Sequence, residues 1–325
     1  SIISSISFKN CGLIFVWLTI IILLNSLQDI PISANESFLS CNSWGNCLND
    51  LADKNTLPSV QFEPDFDDLN KKIMGGYDFK KIDPSIKGVI INSPSNPTGG
   101  VWSDQAIIKM LEISKANNWI VISDETYEEL VYDREFTAID SLNSMGAEVL
   151  TIRSMSKTYA MTGWRIGYTI ADEIIVKAMS KIQGQTTSCP NAIGQKASVA
   201  ALLGDPQPVL DMKSKFQERR QVMFDALNAL EGITCDMPGG AFYMFPDFSS
   251  YINRQTKEGK ILRDTFDLSD YILDTASVVT VAGDGFGAKG YLRLSFATSS
   301  EIIKTGIKRN SLQSNFSSKS TSKEN

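Results

Sequence analysis

Histidine is absent from all 325 residues of the chain. Without it neither a Ser-His-Asp nor a Cys-His nucleophile can be assembled, and zinc loses its commonest ligand. Acid–base chemistry therefore falls to Lys, Tyr, Asp, Glu or Cys. Positive charge is also short. Lys and Arg number 31 against 37 Asp and Glu, a net charge of -6. That excludes the clustered basic surface that binding nucleic acid requires. The cysteines, Cys11, Cys41, Cys47, Cys189 and Cys235, are odd in number and never stand at C-x-x-C spacing. Neither a disulfide framework nor a metal site is expected, and the thiols read as buried groups in a reducing compartment. The apolar run at 12–24 (GLIFVWLTIIILL) is short of the roughly 20 residues of a membrane span. Lys9 before it lends it the look of a signal-peptide core, but a core segment or sequence foreign to the fold is the stronger reading. A cytoplasmic chain with no membrane association is expected. There is no internal repeat.

What is present is an ordinary apolar content, 42%, in a length that suits one large domain or two ordinary ones. Gly88–Asn92, Trp119–Ser123, Val149–Ile152 and Arg165–Ile170 are β-branched runs ending in turn residues, the pattern of buried strands. Asp104 to Asn117 carries Ile107, Ile108, Leu111 and Ile113 at helical spacing, with Ser103 or Asp104 as N-cap. Such alternation predicts an α/β fold, an open, mostly parallel sheet covered by helices. After Pro206 the texture changes. One long helix is predicted over Pro208–Leu230, then shorter strands at Gly240–Phe245, Ser277–Val281 and Tyr291–Phe296. The expected division is an atypical segment 1–60, a large domain 61–207, a smaller α+β domain 208–310 and a polar, disordered tail 311–325.

Four motifs carry chemistry. Ser154-Met-Ser156-Lys157, with Arg165 eight residues after the lysine, sets an amine beside two hydroxyls and a guanidinium. These can hold a phosphate while the amine forms a Schiff base with an aldehyde cofactor. Asn92-Ser-Pro-Ser-Asn96-Pro-Thr-Gly99 is a rigid turn directly after a strand, where open α/β sheets bind ligands. Asp124 and Tyr127 follow the next strand, while Glu125, Glu128 and Glu129 read as a solvated helix face. Arg293 lies inside the alternating run Tyr291–Phe296, a costly place for an arginine without an anionic partner. Gly285-Phe-Gly287-Ala-Lys-Gly290 matches G-x-G-x-x-G, but a strand rather than a helix is predicted after it, so it is no dinucleotide fingerprint. Taken singly, each motif has a plain alternative: a surface lysine, a loop, a helix cap, an edge-strand arginine.

In order and approximate spacing the four, N-P-T-G, D-E-x-Y, S-x-S-K with its arginine, and R-x-S-x-A, resemble the class I/II pyridoxal-phosphate-dependent aminotransferases over roughly residues 61–310. Pro238–Tyr243 resembles a strand of that family's small domain, and the wording around Lys157 is similar to that of bacterial aspartate (aspartate/prephenate) aminotransferases. The resemblance implies the fold type I transferase architecture, pyridoxal 5′-phosphate as cofactor, and a homodimer. It implies transamination between an amino acid, aspartate first, and a 2-oxo acid, 2-oxoglutarate first. It assigns the Schiff base and proton transfer to Lys157, the cofactor ring nitrogen to Asp124, and its phenolate oxygen to Asn96 and Tyr127. Ser154, Ser156 and Arg165 would take the phosphate; Arg293 would grip the substrate α-carboxylate, with Asn96 counted among the substrate-binding residues as well. It also implies a longer stretch ahead of the N-P-T-G strand than this chain has. A phosphate-binding glycine loop and a ring-stacking aromatic are expected there, and only Trp44-Gly45 faintly suggests them. A truncated, catalytically impaired homologue and a carbon–sulfur lyase on the same fold therefore stand as alternatives. A transcription-factor regulator is disfavoured, because Lys9 is the only basic residue before Lys54.

Overall fold

The computed structural model describes residues 86–309 together with the short strands at 37–40 and 60–61. The apolar run 12–24, Trp44-Gly45 and the tail 311–325 lie outside the described residues. Six strands form the main sheet: β1 (Ser37–Ser40), β2 (Val60–Gln61), β3 (Ile86–Asn92), β4 (Ile120–Asp124), β5 (Glu148–Ser154) and β6 (Gly167–Ile170), in the order β2-β1-β3-β4-β5-β6. All neighbours are parallel except β5 and β6. Residues 155–166 between those two are taken up by the lysine segment, which leaves no room for a crossover helix, so β6 returns antiparallel. β4 is buried along its whole length, and its unalternating Ile-Val-Ile run is the mark of a strand covered on both faces.

Helix α1 (Asp104–Asn117) covers one face. The Ser103 hydroxyl caps it by accepting from the Ala106 amide, and Asn118 ends it in the left-handed conformation. Its Ala106, Ile107, Met110 and Leu111 pack with Val89, Ile91, Val121 and Val149 of the sheet. Further helices follow as α2 (Ile139–Leu142), α3 (Met155–Thr158), α4 (Glu173–Thr186), α5 (Ala192–Leu203) and α6 (Gln207–Asn228). The C-terminal part adds α7 (Thr265–Ala276), α8 (Ser300–Arg309) and an antiparallel sheet of β7 (Tyr243–Met244), β9 (Leu292–Ser295) and β8 (Val281–Ala282). Phe216, Met223 and Leu227 of α6, with Leu268 and Ile272 of α7, share one core with Leu292, Leu294 and Phe296. No helix among the described residues is long and apolar enough to cross a membrane.

Four predicted strands are shorter than their sequence runs, and the two cut to a pair of residues, β7 and β8, are so for identifiable reasons. Ser277 adopts φ 55 as the cap that ends α7, so extended chain begins only after it. In Gly240–Phe245, Ala241 has φ 55, and the chain there bonds to the main-sheet loops instead. Gly240 N–H donates to Gly99 C=O (2.8 Å), Ala241 N–H to Leu130 C=O (2.8 Å), and Tyr132 N–H to Gly239 C=O (3.0 Å). This crossing brings the C-terminal segment over the carboxyl ends of β3 and β4.

Candidate active site

Parallel pairing sets the ends of three strands side by side, Asn92 opposite Asp124 and Asp124 opposite Ile152. Asn92, buried, makes the junction rigid: its side-chain oxygen accepts from the Asn96 amide (2.8 Å) and its NH2 donates to Asp124 C=O (3.3 Å). Asn96 is thereby held in the turn after β3. From β9, Arg293 reaches across and donates from Nη1 to the Asn96 side-chain oxygen (2.6 Å). Its guanidinium lies over the rings of Tyr243 (4.6 Å) and Phe286 (5.3 Å).

Asp124 closes β4 with a side chain 3% exposed. Both of its hydrogen bonds among the described residues fall on Oδ1, from the Thr126 amide (3.2 Å) and hydroxyl (2.6 Å), which leaves Oδ2 without a protein donor. Burial raises its pKa above the ordinary carboxylate value, against the two Thr126 bonds. Tyr127 is equally buried and shares a 2.7 Å hydrogen bond with the Tyr243 hydroxyl. Burial first, then Tyr243, lift its pKa well above the ordinary phenol range.

Lys157 sits in α3, its ammonium nitrogen 5.5 Å from the centre of the Phe242 ring and 5.9 Å from that of Tyr127. Burial lowers its pKa, and the positive charges of Arg165 and Arg293 lower it further. The helix that carries it is started by Ser154, whose hydroxyl accepts from the Ser156 amide (3.1 Å) and donates to Ile166 C=O (3.4 Å). Arg165 takes the left-handed conformation at φ 58 and anchors Nη1 on Thr162 C=O (2.7 Å). Lys157, Ser154, Ser156 and Arg165 all line a cavity of about 600 Å³ that extends to α4. Asn96, Asp124, Tyr127 and Arg293 do not line it. The predicted residues thus fall into two groups, one around Arg293 and one around the hydroxyls, with Lys157 touching both.

The glutamates differ from expectation. Residues 125–130 form a turn, not a helix, and only Glu129 is exposed. Glu125 is buried because Arg153, on the neighbouring strand β5, bonds to it through Nε (3.2 Å) and Nη2 (2.9 Å). Its other oxygen accepts from the Ser123 hydroxyl (3.1 Å) and the Ile139 amide (3.0 Å). Glu128 pairs with the same Arg153 at 2.7 Å. Sequence reasoning passed over this knot, as it passed over Asn92 and Tyr243. The available signal was the arginine: Arg153 stands in a buried strand run and needs an anion as surely as Arg293 does.

The family model described as aminotransferase class I and II matches residues 53–309. An aspartate aminotransferase of Rhizobium meliloti is 38% identical over 232 residues, 70% of this chain and 56% of that protein. An aspartate/prephenate aminotransferase of Nitrosomonas europaea is 38% identical over 235 residues, 71% and 59% of the respective lengths. The chain therefore spans a little over half the length of the curated relatives it matches. Among solved structures, the Rhizobium meliloti aspartate aminotransferase superposes with a TM-score of 0.76 at 28% identity, covering 92% of this chain and 74% of that one. An aromatic aminotransferase of Pyrococcus horikoshii gives 0.75 at 27%, covering 91% and 77%.

Proposed function

The chain belongs to the class I and II aminotransferases and has their fold type I architecture, and from that premise we propose that it transfers an amino group between an amino acid and a 2-oxo acid. Aspartate and 2-oxoglutarate are the first candidates, on pyridoxal 5′-phosphate held through Lys157. The observation that carries the reading is the placement of three unlike groups around Tyr127: the Lys157 amine 5.9 Å from its ring, the buried Asp124 carboxylate at the end of β4, and Arg293, braced against Asn96 and reached through Tyr243.

These residues fit the cofactor. Asp124, a buried residue whose side-chain hydrogen bonds both fall on Oδ1, suits a protonated ring nitrogen, which would give Oδ2 a hydrogen bond and the carboxylate a compensating charge. Ser154, Ser156 and Arg165 line the cavity and offer hydroxyls and a guanidinium to a phosphate. When bound, the cofactor supplies a sink for the electron pair left as the substrate Cα–H bond breaks.

The chain's own groups do the rest. Lys157, nearer to neutrality than a surface lysine, would hold the cofactor and, as a free amine, take the substrate Cα proton and return it. Asp124 would keep the ring nitrogen protonated. Asn96 and Tyr127 would donate to the ring oxygen, and Arg293 would grip the α-carboxylate with its planar fork. A homodimer, a cytoplasmic setting and a division into 61–207 and 208–310 accompany this reading, from the resemblance alone.

The test is covalent. Purified protein mixed with pyridoxal 5′-phosphate should show a visible absorbance band, and borohydride followed by peptide mass mapping should place the tag on Lys157. Lys157→Ala should lose both. A tag on another amine, or none, overturns the proposal. Loaded protein given aspartate should then release the 2-oxo acid and convert 2-oxoglutarate to glutamate; pyruvate with ammonia would turn the assignment to a carbon–sulfur lyase.

A further inference from the structure

Tyr243 has no role in the scheme above, yet it touches both halves of it. It stands on β7 opposite Ser295 of β9, two residues from Arg293, which places the two side chains as diagonal cross-strand neighbours. The face of its ring lies 4.6 Å from the Arg293 guanidinium carbon. The far end of the same ring carries the hydroxyl that bonds to Tyr127 at 2.7 Å. Only 6% of the residue is exposed, so neither end exchanges its partner for water. Burial raises the pKa of both phenols, and both keep their protons.

The proton count gives the pair a direction. Each phenol has one hydrogen, and the single bond between them uses one. An anionic oxygen in front of Tyr127 draws the Tyr127 hydrogen to itself, because a bond to a charged acceptor is the stronger one. The bond to Tyr243 then survives only with Tyr243 as donor. A chain results, from Tyr243 to Tyr127 to the oxyanion, in which the first bond polarises the second.

We propose that Tyr243 is a positioning residue with two separable duties: its hydroxyl turns the Tyr127 proton toward the cofactor oxygen, and its ring holds the Arg293 guanidinium in place for the substrate carboxylate. The inference rests on the function proposed above. It assigns work to a residue that the motifs leave as mere strand.

Two variants separate the duties. Tyr243→Phe keeps the ring and removes the hydroxyl. Tyr127 becomes a poorer donor, more charge stays on the cofactor oxygen, and the linkage nitrogen holds its proton to higher pH. The pH midpoint of the visible absorbance change should rise by about half a unit, while the Kd for succinate, an unreactive dicarboxylate, stays within about twofold. Tyr243→Leu removes the ring as well and should also weaken succinate about tenfold. If the leucine variant does not fold, the phenylalanine variant, isosteric in the core, decides. An unmoved midpoint in Tyr243→Phe overturns the proposal while wild-type loading upholds its parent. So does a loss of succinate affinity in Tyr243→Phe as large as in Tyr243→Leu. A wild-type chain that forms no Lys157 adduct overturns both.

Discussion

Replacing Glu125 by glutamine changes one atom and should cost the fold about 3 kcal/mol. The carboxylate accepts four hydrogen bonds, two on each oxygen, and its side chain is 2% exposed. Glutamine keeps an oxygen for Ser123 and Ile139 but turns an NH2 toward Arg153, so two donors face each other and a guanidinium loses the more deeply buried of its two anions. Breaking a buried ion pair from one side costs roughly 3–5 kcal/mol. The lower end applies because Arg153 retains Glu128 at 2.7 Å and is 24% exposed. Removing the charge as well, in Glu125→Gln/Arg153→Met, takes away the stranded cation, and the double variant should lie about 2 kcal/mol above the sum of the singles. Urea unfolding followed by circular dichroism measures all four proteins, with an unchanged slope as the condition for comparing midpoints. A Glu125→Gln midpoint within about 0.5 kcal/mol of wild type, the scatter of surface substitutions, would refute the buried-pair argument. Function enters through sequence adjacency. Glu125 follows Asp124 and ties the turn after β4 to Ile139, so the variant should also release cofactor more readily.

Three further outcomes follow from the geometry. Gly99→Ala sets a side chain at φ +68 with its Cβ 2.4 Å from Pro238 Cβ and 2.7 Å from Gly240 C=O; it should cost at least about 2 kcal/mol, measured by thermal unfolding, and a wild-type melting temperature would contradict the crossing contact. Asn92→Ala removes the clamp between Asn96 and Asp124, two hydrogen bonds at once, so a loss of about 1–3 kcal/mol should come with weaker cofactor retention in equilibrium dialysis. Arg293→Gln removes one of the charges that depress the Lys157 pKa; the amine then stays protonated to higher pH, and the onset of Lys157 acylation, read by peptide mass, should move upward. Movement toward lower pH would refute the electrostatic coupling.

Strand positions in the main sheet were legible because buried parallel strands are written locally, as β-branched runs bounded by turns. Gly88–Asn92 and Trp119–Ser123 fall within a residue or two of β3 and β4. α6 begins and ends within two residues of its predicted span. The C-terminal strands were less legible, since Ala241 and Ser277 adopt left-handed backbone for reasons that lie elsewhere: a bond to Leu130 in one case, the end of α7 in the other. The same distinction governs the site. Arg293 announces itself because a charged group in an apolar run requires a partner, Lys157 because two hydroxyls and an arginine accompany it at short spacing, and Asp124 because it closes a buried strand. Tyr243 does not, because an aromatic in an alternating strand is ordinary, and the role proposed for it arises only when β7 pairs with β9 and the Gly99–Gly240 crossing lays that strand pair over the end of β4. Asn92 and Glu125 are silent for a related reason, since their partners are backbone amides and an arginine 28 residues away. What chain-local chemistry demands can be read from the chain; what two elements make only on meeting requires the register between them. On the function proposed, the four motifs would mark where reacting groups stand, and the residues that would aim them belong to the second kind.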